Sequence, residues 1–350
     1  MKYSTLGSSG LEVSRVCLGT MTWGVQNTQQ DANDQMAYAL EQGINFVDTA
    51  EMYAIPPAPE TYGTTETILG HWLANNKAKR SDIVLATKIS GKGLPWVRDG
   101  GPITGDAVIE AVDNSLARLQ TDYIDLFQLH WPNHLHPHFG RHWPNSIDYG
   151  KTNAAQALDS MHDILKGLHQ CVQAGKVRFC GLSDDTPWGI TKYIELAKEH
   201  HLPRITSIQN EFNLLKHIDF PYVVETCAME DVAYLPWSPL GGGVLSGKYL
   251  KGARPEGSRW TMTQRQGLIR ASEQVDEAVS AYQAIAQKHG LTVAQLALLW
   301  CDQVHGVTST IIGATSMENL RENIAAFGMT YEDELAADVA AALKRYALAF

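Results

Sequence analysis

The sequence predicts a closed barrel of eight parallel strands wrapped by helices, the (β/α)8 or TIM-barrel architecture, and three observations carry that expectation. Eight short β-rich runs alternate with eight longer amphipathic patterns. Several runs, such as Ile83-Val84-Leu85-Ala86 and Ile311-Ile312, are apolar without alternation, as strands covered on both faces must be. Composition does not break along the 350 residues, so residues 1–350 read as one domain, a length that barrels of this kind reach as a unit.

The elements follow in order. Tyr3-Ser4-Thr5-Leu6 and Gly10-Leu11-Glu12-Val13 read as an N-terminal β-hairpin that plugs the bottom of the barrel. The eight strands are placed at Val16–Gly19, Asn45–Asp48, Ile83–Lys88, Tyr123–Leu129, Val177–Leu182, Ile205–Gln209, Val232–Trp237 and Ser309–Ile312. The first helix runs from Asp31, read as its cap, to Gln42 and closes at Gly43. Further helices span Thr64–Asn75, Thr104–Leu119 with Thr104 as cap, Ala157–Gln173, and Pro187–His200, whose first-turn position tolerates the proline. Phe220–Met229, Val293–Cys301 and Met317–Phe327 complete the eight, and an extra C-terminal helix, Glu332–Tyr346, packs outside. Ala54–Gly63, Ser90–Pro102, Trp131–Asn153 and Ser238–Ala271 are too long for plain turns. Long loops after barrel strands gather at the end where active sites lie.

Composition narrows the function. Apolar residues make up 44% of the chain and charged residues 19%, a globular mix able to fill a large core. A net charge of −10 lacks the basic footprint of nucleic-acid binding, although a local basic pocket for phosphate remains compatible with it. The start, MKYSTLGSSG, has no apolar run, and no stretch approaches the roughly 18 apolar residues of a membrane helix. Five cysteines without CxxC spacing read as reduced, buried thiols. The expectation is a cytoplasmic protein with no membrane or nucleic-acid partner. A homo-oligomer is compatible with it, because barrel exteriors vary without motif.

Four groups of complementary chemistry converge on one rim of such a barrel. Asp48 ends the second strand, Lys88 the third and His130 follows the fourth, while Tyr53 stands five residues after Asp48. Alone, a strand-end lysine or histidine most often meets solvent; together they form a carbonyl-reducing set. A tyrosine of ordinary pKa about 10 is a weak acid, and an adjacent ammonium is expected to lower that value. Asp48 would hold Lys88 charged, and His130 would hydrogen-bond the carbonyl oxygen beside Tyr53.

The chain resembles the aldo-keto reductase superfamily nearly end to end and in family order. The segments are Leu18-Gly19-Thr20-Met21, Phe46-Val47-Asp48-Thr49-Ala50-Glu51-Met52-Tyr53, Ala86-Thr87-Lys88, and Asp122–Leu126 leading to Leu129-His130-Trp131-Pro132. Trp237-Ser238-Pro239-Leu240, Leu245-Ser246-Gly247-Lys248, Ile311-Ile312-Gly313-Ala314 and Glu322-Asn323 follow. With the Pro-rich insert Ala54–Gly63, the chain is most similar to the bacterial Tas-like branch, related to potassium-channel β-subunits.

The resemblance implies an NADPH-dependent reductase of aldehydes or ketones with Asp48, Tyr53, Lys88 and His130 as its catalytic tetrad. It implies that Thr20 and Met21 border the nicotinamide and ribose, Ser183, Asp184 and Gln209 meet the carboxamide, and Trp237 stacks on the ring in place of the commoner tyrosine. Ser238, Leu240, Gly243, Ser246 and Lys248 would cover the pyrophosphate, with Gly313, Ser316, Asn319, Glu322 and Asn323 framing the adenosine. Arg259 would grip the 2′-phosphate, which favours NADPH over NADH. Two positions depart from the family: Asp184 replaces the usual asparagine, and Asn319 stands where relatives often carry Gln or Arg. Ionised, an acid at 184 accepts from the amide NH2 but cannot donate.

Trp23, Tyr53, His130 and Trp131 are expected to wall the substrate pocket, with Tyr62, His138 and Trp143 adding to it. An aromatic lining suits small-molecule carbonyls with an apolar or aryl portion. Gly241-Gly242-Gly243 lacks GxGxxG spacing and is not a Rossmann fingerprint. The segment His134-Leu135-His136-Pro137-His138, with His142, has the alternation that could gather imidazoles, but reads as a polar lid and not a metal site. A regulatory protein that binds NADPH as a sensed ligand is the alternative function, and an unrelated barrel hydrolase the third.

Overall fold

Successive residues of a strand point to opposite faces, so each strand of a closed parallel sheet supplies two cores at once. A computed structural model describes residues 1–262 and 271–347 of the chain. Two short antiparallel strands, β1 (Tyr3–Thr5) and β2 (Glu12–Ser14), form the hairpin. The parallel sheet comprises β3 (Val16–Gly19), β4 (Phe46–Asp48), β5 (Val84–Ile89), β6 (Ile124–Leu129), β7 (Val177–Ser183), β8 (Ile205–Gln209), β9 (Ala233–Tyr234) and β10 (Thr310–Ile312). Its order is β10-β3-β4-β5-β6-β7-β8-β9. Thr308 N donates to Tyr234 O at 2.9 Å and Ile311 N to Pro236 O at 2.9 Å, which joins the last two strands and closes the barrel.

The two faces separate cleanly. Cys17, Phe46, Val84, Ala86, Leu126, Ala233, Leu235 and Ile311 point inward and pack with Leu6 and Val13 of the hairpin region, the expected plug. Gly7 is required there: its φ is +49°, and a Cβ would lie 2.4 Å from Thr206 O. Outward residues such as Val47, Leu85, Phe127 and Leu182 join the apolar stripes of the helices in a second, larger core.

The helices are α1 (Gln29–Glu41), α2 (Thr64–Asn75), α3 (Gly105–Leu119), α4 (Ala154–Gln173), α5 (Pro187–Glu199), α6 (Tyr222–Met229), α7 (Glu273–Lys288), α8 (Val293–Gln303), α9 (Met317–Ala326) and α10 (Asp333–Arg345). Helix α4 starts at Ala154 instead of Ala157 and α6 at Tyr222 instead of Phe220, and two larger differences from expectation concern α1 and α7. Thr28, not Asp31, caps α1, because Thr28 accepts from Asp31 N while Asp31 returns a bond to Thr28 N in a capping box. Helix α7 was not expected: it follows a long loop rather than a strand, and it buries Val275, Ala278, Val279, Tyr282 and Ala286.

The five cysteines are buried free thiols. Burial pushes Cys180, Cys227 and Cys301 up to about 12, which makes them poor nucleophiles. No described helix is long and apolar enough to cross a membrane.

Candidate active site

The inward register that fills the barrel below also decides what stands at its top. On β4, Phe46 faces in and so does Asp48; on β5, Val84, Ala86 and Lys88 share that face. Lys88 Nζ lies 2.5 Å from Asp48 Oδ2 and donates to Thr49 O at 2.8 Å. Lys88 is fully buried and Asp48 2% exposed. The chain then turns, with Tyr53 N bonded to Ala50 O at 3.1 Å, and brings the Tyr53 ring over the lysine, 5.1 Å from Nζ to the ring centroid. His130, just past β6, meets the Tyr53 ring edge-on at 5.6 Å between centroids. All four expected groups therefore lie together at one end of the barrel.

Two amides complete this layer. Gln209 Nε2 donates to Asp48 Oδ1 at 2.9 Å and to Gln128 Oε1 at 3.1 Å, and Gln128 Nε2 also reaches Asp48 Oδ1 at 3.1 Å. The amide nitrogen of Gln209 thus holds Asp48 and Gln128 together. Gln128 was missed in sequence. Its signal was its place two residues before His130, on the same strand face.

The electrostatics correct one expectation. Burial pulls Lys88 down, but the Asp48 carboxylate and the Tyr53 phenol more than offset it, so the ammonium persists. Burial pushes Tyr53 above its ordinary value, and Lys88 opposes this without reversing it. The phenol is therefore raised, where proximity to Lys88 alone predicts a lowered value. Burial, with Lys88 second, holds His130 far below the usual histidine range. Its ring is neutral near pH 7, and Nδ1 is buried without a partner.

A further acid braces the loop that carries Tyr53. Glu51, fully buried, accepts from Arg98 Nη1 at 3.1 Å and Nη2 at 2.5 Å, from Tyr62 Oη at 2.9 Å and from Ser90 N at 2.7 Å. It thereby ties the Pro-rich insert to the loop after β5, two residues from Tyr53. Tyr62 acts through this bond.

The residues expected around a dinucleotide fall into three groups. Near Tyr53, Thr20 donates from Oγ1 to Asp48 O at 2.9 Å, and Met21, like Ile55, Leu94 and Trp131, packs against the cluster of Ala50, Met52 and Tyr53. Ser183 and Asp184 close β7 in buried positions, and partly buried Trp237 packs on the inner core just past β9. In the second group, Ser238 Oγ accepts from Gly242 N at 2.8 Å and shapes the turn that runs from Leu240 through Ser246. Gly242 and Gly243 have φ of +72° and +97°, and a Cβ would lie 3.1 Å from Arg259 Nη1 at the first and 3.4 Å from Lys248 Nζ at the second. Two cations thus lean over a turn that presents bare backbone, a cradle that fits phosphate oxygens. Residues 263–270 of the expected loop Ser238–Ala271 lie outside the described residues.

In the third group, Ser316 caps α9 through Asn319 N at 3.2 Å, and Asn323 Nδ2 approaches Gly313 O at 3.4 Å. Glu322 accepts from Thr292 Oγ1 at 2.7 Å instead of standing free, and Asn319 is exposed.

At the mouth, Trp131 is a fixed wall. Its Nε1 donates to Lys92 O at 3.1 Å, its ring lies where a Cβ on Gly91 would be, and Phe139 meets it edge-on at 6.2 Å. Trp23 is not brought there. The chain turns back after β3, with Trp23 N bonded to Thr20 O, and the fully buried indole donates to Gln35 Oε1 at 3.0 Å in the outer core. Trp143 is largely exposed and stacks obliquely on His142. The loop histidines have diverging partners: His134 Nε2 pairs with Asp185 at 3.1 Å and His136 Nε2 with Arg141 at 2.7 Å.

The chain matches the Aldo/keto reductase family over residues 15–344. It is 42% identical over 350 residues, 99% of each chain, to "Protein tas" of Escherichia coli (strain K12). It is 30% identical over 339 residues to "Uncharacterized oxidoreductase YrpG" of Bacillus subtilis (strain 168), covering 96% of this chain and 94% of that one. A "Probable voltage-gated potassium channel subunit beta" of Arabidopsis thaliana is 30% identical over 330 residues, 93% and 91% of the two chains.

Proposed function

The chain belongs to the aldo/keto reductase family and is an oxidoreductase of it, and from that premise we propose that it reduces aldehydes or ketones to alcohols with NADPH. The observation that carries this reading is the buried Lys88 ammonium, 2.5 Å from Asp48 and under the ring of Tyr53, with His130 alongside.

NADPH, when bound, supplies the hydride. Tyr53 gives its hydroxyl proton to the carbonyl oxygen, and Lys88 stabilises the phenolate left behind. That partner is needed because burial alone makes the phenol a poorer acid. Asp48, oriented by Gln128 and Gln209, keeps Lys88 charged without being exposed to water. Neutral His130 donates a ring N–H to the carbonyl oxygen and holds it beside Tyr53, where a cation would instead repel Lys88. Trp131 and Phe139 favour carbonyls with a flat aryl or apolar portion.

Arg259 and Lys248 over the Gly242–Gly243 turn support a phosphate-bearing dinucleotide, and NADPH over NADH. Trp237 supplies the face for the nicotinamide, and Gly313, Ser316 and Asn323 the adenosine end. The test is consumption of NADPH and of NADH with a panel of aryl aldehydes. Turnover with NADPH that exceeds turnover with NADH is expected; tight NADPH binding with no turnover on any carbonyl would instead favour a sensor.

A further inference from the structure

The loop after β9 carries two aromatic residues that the proposed reaction does not use, Tyr249 and Trp260. Their rings stack, with centroids 4.1 Å apart and planes 3° from parallel. Both are buried, Tyr249 at 1% and Trp260 at 6% exposure, while residues 251–257 between them are exposed throughout. The guanidinium of Arg254, from that exposed stretch, lies over the Trp260 ring at 4.4 Å from its centroid. One pair of rings thus pins the exposed stretch at both ends.

The backbone bonds of the loop are local. Leu250, Ala253, Ser258 and Thr261 each donate to the carbonyl three residues earlier, which shapes turns and sets no long-range contact. An arginine on such a segment loses rotamer freedom when it is held against a partner. Arg259 is nevertheless held: its Nη1 lies 3.1 Å from where a Cβ on Gly242 would stand. Trp260 is the next residue in the chain. The ring on which it stacks, Tyr249, has its Cε2 3.6 Å from where a Cβ on Gly243 would stand. The cation and the stack therefore sit against successive residues of one turn.

Arg259 and Trp260 are also carried by one short turn. They open the 3-10 segment Arg259–Thr261, which Ser258 O closes by accepting from Thr261 N at 3.0 Å and Thr261 Oγ1 at 2.8 Å. Fixing the indole thereby fixes the start of the arginine side chain.

We propose that Trp260 is a positioning residue for the cofactor: by stacking on Tyr249 beside Gly243, it holds Arg259 over Gly242, where a phosphate of the dinucleotide binds. The assignment rests on the reading that Arg259 meets a phosphate of NADPH, and deepens it by naming what preorganises the guanidinium. A stack suits that task. It fixes the turn through ring faces and adds no acid, which would compete with phosphate for the guanidinium.

The test uses the full chain and NADPH affinity measured by isothermal titration calorimetry, in the native protein, Trp260→Leu, Arg259→Ala and the double variant. In Trp260→Leu, Kd is expected to rise about three- to tenfold, the worth of one aromatic pair. In the Arg259→Ala background the same change costs no more than about twofold, because the cation it positions is gone. Trp260→Phe, which keeps a ring on Tyr249, restores most of the lost affinity. A loss as large without Arg259 as with it overturns the proposal. So does a Kd in Trp260→Leu within about twofold of native, or a Trp260→Phe as weak as Trp260→Leu. Should Trp260→Leu not fold, Tyr249→Leu, which removes the other ring, is measured with and without Arg259 and judged by the same two outcomes. A native protein that does not bind NADPH overturns the reductase reading together with the proposal. Native binding with equal losses in both backgrounds overturns the proposal alone.

Discussion

Replacing Asp48 by asparagine removes the counter-charge of a lysine that has no access to water. Lys88 would keep only neutral acceptors, Thr49 O and the new amide oxygen. The new NH2 would also face either the ammonium or the donors of Gln128 and Gln209, since Asp48 accepts from all three. Breaking a buried pair in this way costs about 3–5 kcal/mol. An independent bound agrees, because neutralising a lysine of pKa about 10.4 at about pH 7 costs roughly 4–5 kcal/mol. That is a large share of the 5–15 kcal/mol by which a domain of ordinary stability is folded, a rough range.

The sign of the pH dependence follows. In Asp48→Asn the folded pKa of Lys88 lies below its unfolded value, so the unfolded chain binds more protons between the two. Stability then recovers as pH rises, by up to about 1.4 kcal/mol per unit, until the unfolded pKa is reached. Urea unfolding at about pH 7 and about pH 9, followed by tryptophan fluorescence, measures this, and Asp48→Asn/Lys88→Met is expected to recover stability at the lower pH. A cost below about 1 kcal/mol at neutral pH would refute the reasoning. So would a double variant less stable than Asp48→Asn.

Other consequences are as direct. Burial keeps His130, His136 and His138 below the unfolded histidine value, with His136 and His138 near about 3. The folded state gains from them above about pH 6.5 and loses that gain as pH falls below it, at up to about 1.4 kcal/mol per unit for each; stability independent of pH across that window would contradict their burial. Arg259→Ala is expected to weaken NADPH binding about ten- to hundredfold and NADH binding far less, as measured by fluorescence titration. Glu51→Gln should lower kcat more than it changes cofactor Kd, because Arg98 loses its charged partner next to the Tyr53 loop. Steady-state kinetics beside binding data separates the two.

Much of this was readable from the chain because parallel strands and their end residues have strong signatures. The runs at Val84–Ile89 and Ile124–Leu129 are buried along their whole length and read as strands for that reason. Asp48 and Lys88 stood out as charges closing apolar runs. Other features depend on tertiary packing. Trp23 adjoins Thr20-Met21 in sequence, but the reverse turn after β3 sends its ring under α1 instead of to the mouth. The shift of Tyr53 depends on depth of burial, which spacing does not report. Gln128 looks like a break in an apolar run until the barrel turns its amide onto Asp48. Helix α7 has a buried face like that of α3, with Val275, Val279 and Tyr282 where α3 has Val108, Val112 and Leu119, but it follows a loop instead of a strand and so falls outside the strand–helix alternation.

The central claim is that the Tyr53 hydroxyl is the proton source. It is tested by mixing Tyr53→Phe, preloaded with NADPH, with an aryl aldehyde and following oxidation of the cofactor in one turnover. The expected result is cofactor affinity close to that of the native protein with reduction slowed by about a hundredfold or more; a rate equal to that of the native protein would contradict the account.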